Sequence, residues 1–79
     1  PSRPTVAASD GRIRFSLPAG EAAWLWAIRS RRGDAWQAEI LPGRSTEFAL
    51  ASGVAEVFVA AIARDGREGP TAGQEITRP

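Results

Sequence analysis

Apolar and polar residues alternate at period two through most of this chain. Residues 12–17 show it most cleanly: Ile13, Phe15 and Leu17 face one way, while Arg12, Arg14 and Ser16 face the other. That pattern predicts a half-buried strand. The longest apolar run, 56–63, behaves differently. Val57, Val59, Ala61 and Ala63 fall on one face, and Phe58, Ala60 and Ile62 on the other. Both faces are apolar, so this strand is predicted to be central, or to meet something on its outer side. Val57, Phe58, Val59 and Ile62 favour a pleated surface over a helix. Arg64-Asp65-Gly66 ends the run on a turn signal.

The other elements are shorter. A first strand is predicted over 5–8, ended by Ser9-Asp10-Gly11. Over 23–30, Trp24, Trp26 and Ile28 share a face assigned to the core, and Leu25, Ala27 and Arg29 share the opposite one. Residues 31–34 read as a hairpin loop. Over 36–41, Trp36, Ala38 and Ile40 are assigned inward, with Gln37 and Glu39 outward. Phe48 and Leu50 share a face over 46–50, and 74–77 forms a short last strand. Seven short strands result, with no convincing helix. Turn signals roughly eight to twelve residues apart predict an all-β, seven-stranded antiparallel β-sandwich.

Length and composition narrow the picture. Seventy-nine residues make one domain, and a chain this size buries only about 60% of its unfolded surface. Cysteine and histidine are absent. Disulfides, most zinc sites and every His-based catalytic triad go with them. Ten cations, all arginine, stand against nine acids, for a net charge of +1. Abundant Arg and Ala suggest a GC-rich bacterial genome. No apolar run approaches the roughly 20 residues of a membrane helix. Residues 1–4 read as a linker, and a chain that begins at Pro1 without Met reads as a piece of a longer polypeptide.

With these residues in view, the chain resembles a fibronectin type III domain over essentially its whole length. Ile13-Arg14-Phe15-Ser16-Leu17-Pro18 is similar to the family's second strand, with Phe15 where Trp is usual. Trp24, Trp26 and Ile28 match its third strand. Val59-Ala60-Ala61-Ile62 and the Gly66 to Pro70 stretch match its sixth strand and the turn that follows. The family's tyrosine corner has no counterpart, because the chain contains no Tyr. A related immunoglobulin-like sandwich therefore stays an alternative. The resemblance implies a non-catalytic accessory or spacer module of a larger bacterial, secreted or periplasmic protein, such as a carbohydrate-active hydrolase.

Candidate chemistry is sparse. The nine carboxylates fall mostly in predicted turns or on outward positions, which suits a solvated surface better than a catalytic pair. No cofactor is expected. Arg32-Gly33-Asp34 spells the integrin-recognition tripeptide, on the loop after the third strand rather than between the last two, where type III adhesion domains carry it. Any hairpin could use those residues as a turn. Arg29, Arg31, Arg32 and Arg44 are expected near one end of the sheet. Nearby acids offset them, and nucleic acid is not an expected partner. Trp36, with Arg32 and Asp34, is the candidate ligand contact, and carbohydrate is the candidate ligand. In type III topology the third and sixth strands are neighbours, so Leu25, Ala27, Phe58, Ala60 and Ile62 would form one apolar patch facing away from the core. A soluble domain seldom exposes such a patch without a partner. The expected partner is a neighbouring domain or a second copy.

Overall fold

The computed structural model describes residues 1–76. Seven strands follow in order: β1 (Thr5–Ser9), β2 (Arg12–Ser16), β3 (Leu25–Arg32), β4 (Ala35–Pro42), β5 (Glu47–Ala49), β6 (Glu56–Ile62) and β7 (Ala72–Glu75). They form two antiparallel sheets, β1-β2-β5 and β4-β3-β6-β7. The order and number of strands agree with the alternation in the sequence. The last strand begins two residues earlier than its pattern predicts, and the Thr77 end of that prediction lies outside the described residues.

Local sequence sets the first hairpin. Asp10 and Gly11 both take positive φ, 52° and 74°, and Ser9 pairs with Arg12 across them. A two-residue turn of this hand matches the right-handed twist of the strands it joins, and Asp-Gly is among the few dipeptides that adopt it cheaply. β1 and β2 then zip from that turn.

The core lies between the sheets. Ile13 and Phe15 reach in from β2, Trp26 and Ile28 from β3, and Val57, Val59 and Ala61 from β6, with Val54 just before it. Each large apolar side chain buried this way is worth about 1.5–3 kcal/mol against exposure. Phe15 and Trp26 meet as a tilted pair, ring centroids 4.7 Å apart. The indole N–H of Trp26 donates to the carbonyl of Gly43 at 3.1 Å, so the largest core side chain leaves no polar group unpaired. Among the described residues, no buried side-chain nitrogen or oxygen lacks a partner.

Two core assignments are overturned. Trp24 lies in a bend before β3 and is 47% exposed. Its backbone amide donates to the carbonyl of Ile62, β3 starts one residue after it, and the Trp24 side chain is not sealed between the sheets. On β4, Trp36, Ala38 and Ile40 face away from the core. Their register partners on β3 are Arg31, Arg29 and Ala27, all on the outer face. Alternation had correctly grouped the three but assigned them to the wrong side.

Residues 1–4 form no strand, yet they lie against the domain. The Ser2 hydroxyl donates to Glu21 Oε2 at 2.8 Å and its amide to Oε1 at 3.1 Å. Those two bonds, the hydroxyl first, hold the Glu21 carboxyl below its usual range.

Candidate interaction face

The outer face of the four-stranded sheet can be built row by row from its register. Pro42, Leu25 and Ile62 form one row across β4, β3 and β6; Ile40, Ala27 and Ala60 form the next. Ala38, Arg29, Phe58 and Gly73 follow, then Trp36, Arg31, Glu56 and Glu75. The face is therefore apolar at the Pro42 end and ionic at the hairpin end. All five residues expected on the patch, Leu25, Ala27, Phe58, Ala60 and Ile62, lie together on it.

Relief on this face comes from residue size. Ala27 and Ala60 are 2% and 0% exposed, shaded by larger neighbours. Ile40 and Trp36 stand clear at 58% and 57%. Trp36 reaches across β3 toward Phe58, and their rings lie 5.8 Å apart at 33°. Phe58 in turn lies over Gly73, where a Cβ would come within 2.8 Å of the ring. The ring can lie flat on β7 because that position has no side chain.

Two ion pairs lie on this face, Arg31–Glu56 at its hairpin end and Arg29–Glu68 across its middle. Arg31 donates to Glu56 Oε1 from Nε at 2.8 Å and from Nη2 at 2.6 Å. Arg29 grips Glu68 with both terminal nitrogens, at 2.9 and 3.0 Å. Glu68 bridges to Ile62 on the far side of β6, whereas Arg29 sits on β3 opposite Phe58. The diagonal between them passes over Ala60, which helps to close that alanine off from water. The hydrogen bonds from Arg29 lower the Glu68 carboxyl from its usual range, and the same bonds raise the Arg29 guanidinium.

The other candidate residues do not converge. Arg32 and Ala35 close the two-residue Gly33-Asp34 turn. Arg32 sends Nη1 toward the Ser52 carbonyl at 3.4 Å, on the side away from Trp36. Asp34 is exposed on the turn itself. Trp36, Arg32 and Asp34 thus address different directions. The expected arginine cluster is also divided: Arg29 and Arg31 are paired on the outer face, and Arg44 follows Pro42 at the opposite end of β4 from Arg32.

Two open concavities flank the sandwich. One, of about 300 Å³, lies by the β1–β2 turn and β7, between Asp10, Leu50 and Ile76. The other, about 290 Å³, has Phe15 and Trp26 at its base, with Glu21, Arg44 and Thr46 among its lining residues. The first has two carboxylates in its lining, Asp10 and Glu75, and the second has one, Glu21. Among the described residues no group of acids is placed to hold a metal ion. Sequence reasoning missed two features of the outer face. One is the contribution of Ile40, which the alternation shows once β4 is registered on β3. The other is the Arg29–Glu68 bond, between residues 39 apart in sequence, for which no local signal exists. No family model matches the chain, and neither the curated proteins nor the solved structures contain a significant match to it.

Proposed function

We propose that this chain is a non-catalytic β-sandwich interaction module that docks through the outer face of its four-stranded sheet. The observation that carries this reading is the gathering of Leu25, Trp36, Ile40, Phe58 and Ile62 on one face around two buried alanines, with the charge of Arg29 set among them. Apolar residues scattered singly on a surface need no partner, but a continuous patch does. Aromatic and branched side chains gathered on one face, with the Arg31–Glu56 pair bounding it at the hairpin end, follow the anatomy of an interface, and the Arg29–Glu68 pair lies within the patch.

A type III-like identity is the finer reading. It is supported by β3 and β6 being neighbours, and by β4 joining β3 rather than β5. In the constant-type immunoglobulin order, the fourth strand instead belongs to the first sheet. On that reading the module serves a larger bacterial, secreted or periplasmic protein, and the docked surface is another domain of the same polypeptide. A second reading, carbohydrate binding, is favoured by one observation: Trp36 presents an exposed ring beside Phe58 on a sheet face.

Amide mapping by NMR separates them. The domain is titrated with the adjoining domain of its parent polypeptide, and separately with soluble oligosaccharides. Docking predicts shifts confined to Leu25, Trp36, Ile40, Phe58 and Ile62 in the first titration, abolished by Ile62→Asp. Shifts centred on Trp36 in the second support the sugar reading. A domain that responds to neither, or responds only around the concavities, removes the face as the working surface.

A further inference from the structure

The free edge of β4 carries a second kind of information, independent of what covers the outer face. Among the described residues β4 has a partner on one side only, and it runs eight residues, as long as β3. Its hydrogen-bonding phase follows from the chain. The carbonyl of Arg31 accepts from Ala55 at 2.8 Å, on the β6 side. Alternate residues of a strand address opposite neighbours, so Trp26, Ile28, Ser30 and Arg32 address β4. Their partners there are Leu41, Glu39, Gln37 and Ala35. The N–H and C=O groups of Trp36, Ala38 and Ile40 therefore point to the open edge. The tight turn closing on Arg32 and Ala35 requires the same phase. Pro42 falls in the outward set too, where its missing N–H costs no ladder bond.

Edges of this length are usually blunted by Lys, Pro, a bulge or an inward-pointing charge; here Glu39, on the inner-facing side, is the one charge between Trp36 and Ile40. Between Trp36 and Ile40 there is neither proline nor a basic side chain, and every residue there is exposed. The segment is also complementary to itself. With a two-fold axis through Ala38, an antiparallel second copy would set Trp36 opposite Ile40 of that copy, twice. Gln37 would face Glu39 of that copy, also twice, and Ala38 would face its own equivalent. Six backbone hydrogen bonds follow from the three outward residues on each side. Aromatic–β-branched pairs are favourable across strands and like charges directly opposite are not, and a Gln amide can donate to a Glu carboxylate. Sliding by one step that keeps the faces matched puts Glu39 against Glu39, or in the other direction leaves Trp36 opposite only Ala38. The central register is thus the one that charge and size select.

We propose that the chain self-associates through β4, edge to edge and antiparallel about Ala38, joining two four-stranded sheets into one of eight strands. The two outer apolar faces then become one continuous surface.

Sedimentation and light scattering on the intact domain across concentration test this. The wild type should dimerise. Ala38→Pro removes the central outward N–H and should weaken association at least about tenfold. Gln37→Glu opposes two carboxylates at each flank and should weaken it in the same direction, while Gln37→Glu with Glu39→Lys should restore it. Because the chain has no cysteine, Ala38→Cys reports the register: it should form a covalent dimer on mild oxidation, and Ala35→Cys should not. A wild type that stays monomeric at about 1 mM overturns the proposal, since that is already the weak end of measurable association. So does a dimer indifferent to both Ala38→Pro and Gln37→Glu. If that dimer is instead lost in Ile62→Asp, the copies meet face to face, which overturns edge pairing while leaving the docking face intact.

Discussion

β6 and β4 lie in one sheet, separated by β3, and both present apolar side chains on its outer side. Val57, Val59, Ala60 and Ala61 of β6 are essentially inaccessible, whereas seven of the eight residues of β4 are exposed and only Leu41 is half-buried. Neighbours and cover make the difference. β6 is paired on both edges by β3 and β7, and its inner face is closed by Ile13 and Phe15. β4 is paired on one edge, and its inner-facing Gln37 and Glu39 are exposed. A four-stranded layer over a three-stranded one leaves an overhang, and β4 is that overhang. Alternation says which side chains share a face; the opposing layer decides which face is dry.

The sharpest way to break this comparison is one substitution made in both strands. Val59→Asp places an uncompensated charge where exposure is zero. A cost of about 3–5 kcal/mol for an unpaired buried charge rivals the whole stability of about 4–12 kcal/mol expected of a domain this size, so the variant should be largely unfolded. Ile40→Asp changes a residue that is 58% exposed and should shift stability by only about 0.5 kcal/mol. Urea melts followed by circular dichroism read both. An Ile40→Asp variant that unfolds would mean that β4 is covered and the overhang does not exist.

A smaller effect tests where the two layers close. A Cβ at Gly43 would collide with the carbonyl oxygens of Ala23 and Trp24, the latter at 2.7 Å. The same glycine's carbonyl accepts the Trp26 indole. Gly43→Ala should therefore cost about 1–3 kcal/mol and shift Trp fluorescence as the Trp26 bond is strained. Melting at an unchanged temperature would show that the β4 end of the core has slack.

These cases also mark how far the sequence could be read. The number and chain order of the strands, and which residues of β2, β3 and β6 share a face, were legible, because each follows from period-two alternation along the chain; joining the outer residues of β3 and β6 needed those strands side by side, which no single segment's alternation supplies. The side of β4 was not. Trp36, Ala38 and Ile40 alternate as a core strand would, and their true side depends on their register with β3. Trp24 failed for a related reason: it fits the parity of Trp26 and Ile28, but the chain bends before β3 begins. The approach of Gly43 to Ala23 joins residues 20 positions apart, so Pro42-Gly43 shows a turn and nothing of what that turn touches. Arg29 and Glu68 look like ordinary surface charges until β3 and β6 are placed side by side.

That last pair gives the smallest and most conditional effect. The hydrogen bonds from Arg29 depress the Glu68 carboxyl in the folded chain, so the folded state holds its proton less tightly than the unfolded state. Its contribution to stability is present above the unfolded value, about 4.3, and is lost as pH falls through the lower folded value. Both side chains are more than a third exposed, at 44% and 36%, so solvent screening limits the pair to at most about 1 kcal/mol. Glu68→Gln should lose that increment at pH 7 and converge with the wild type in acid, and salt should narrow the gap as it screens the pair. A gap that persists at pH 2 would assign the effect to the packing of the Glu68 stem rather than to its charge. Ala60 would then owe its burial to that stem and to Phe58, and the charge of the pair across the outer face would be incidental to keeping its floor dry.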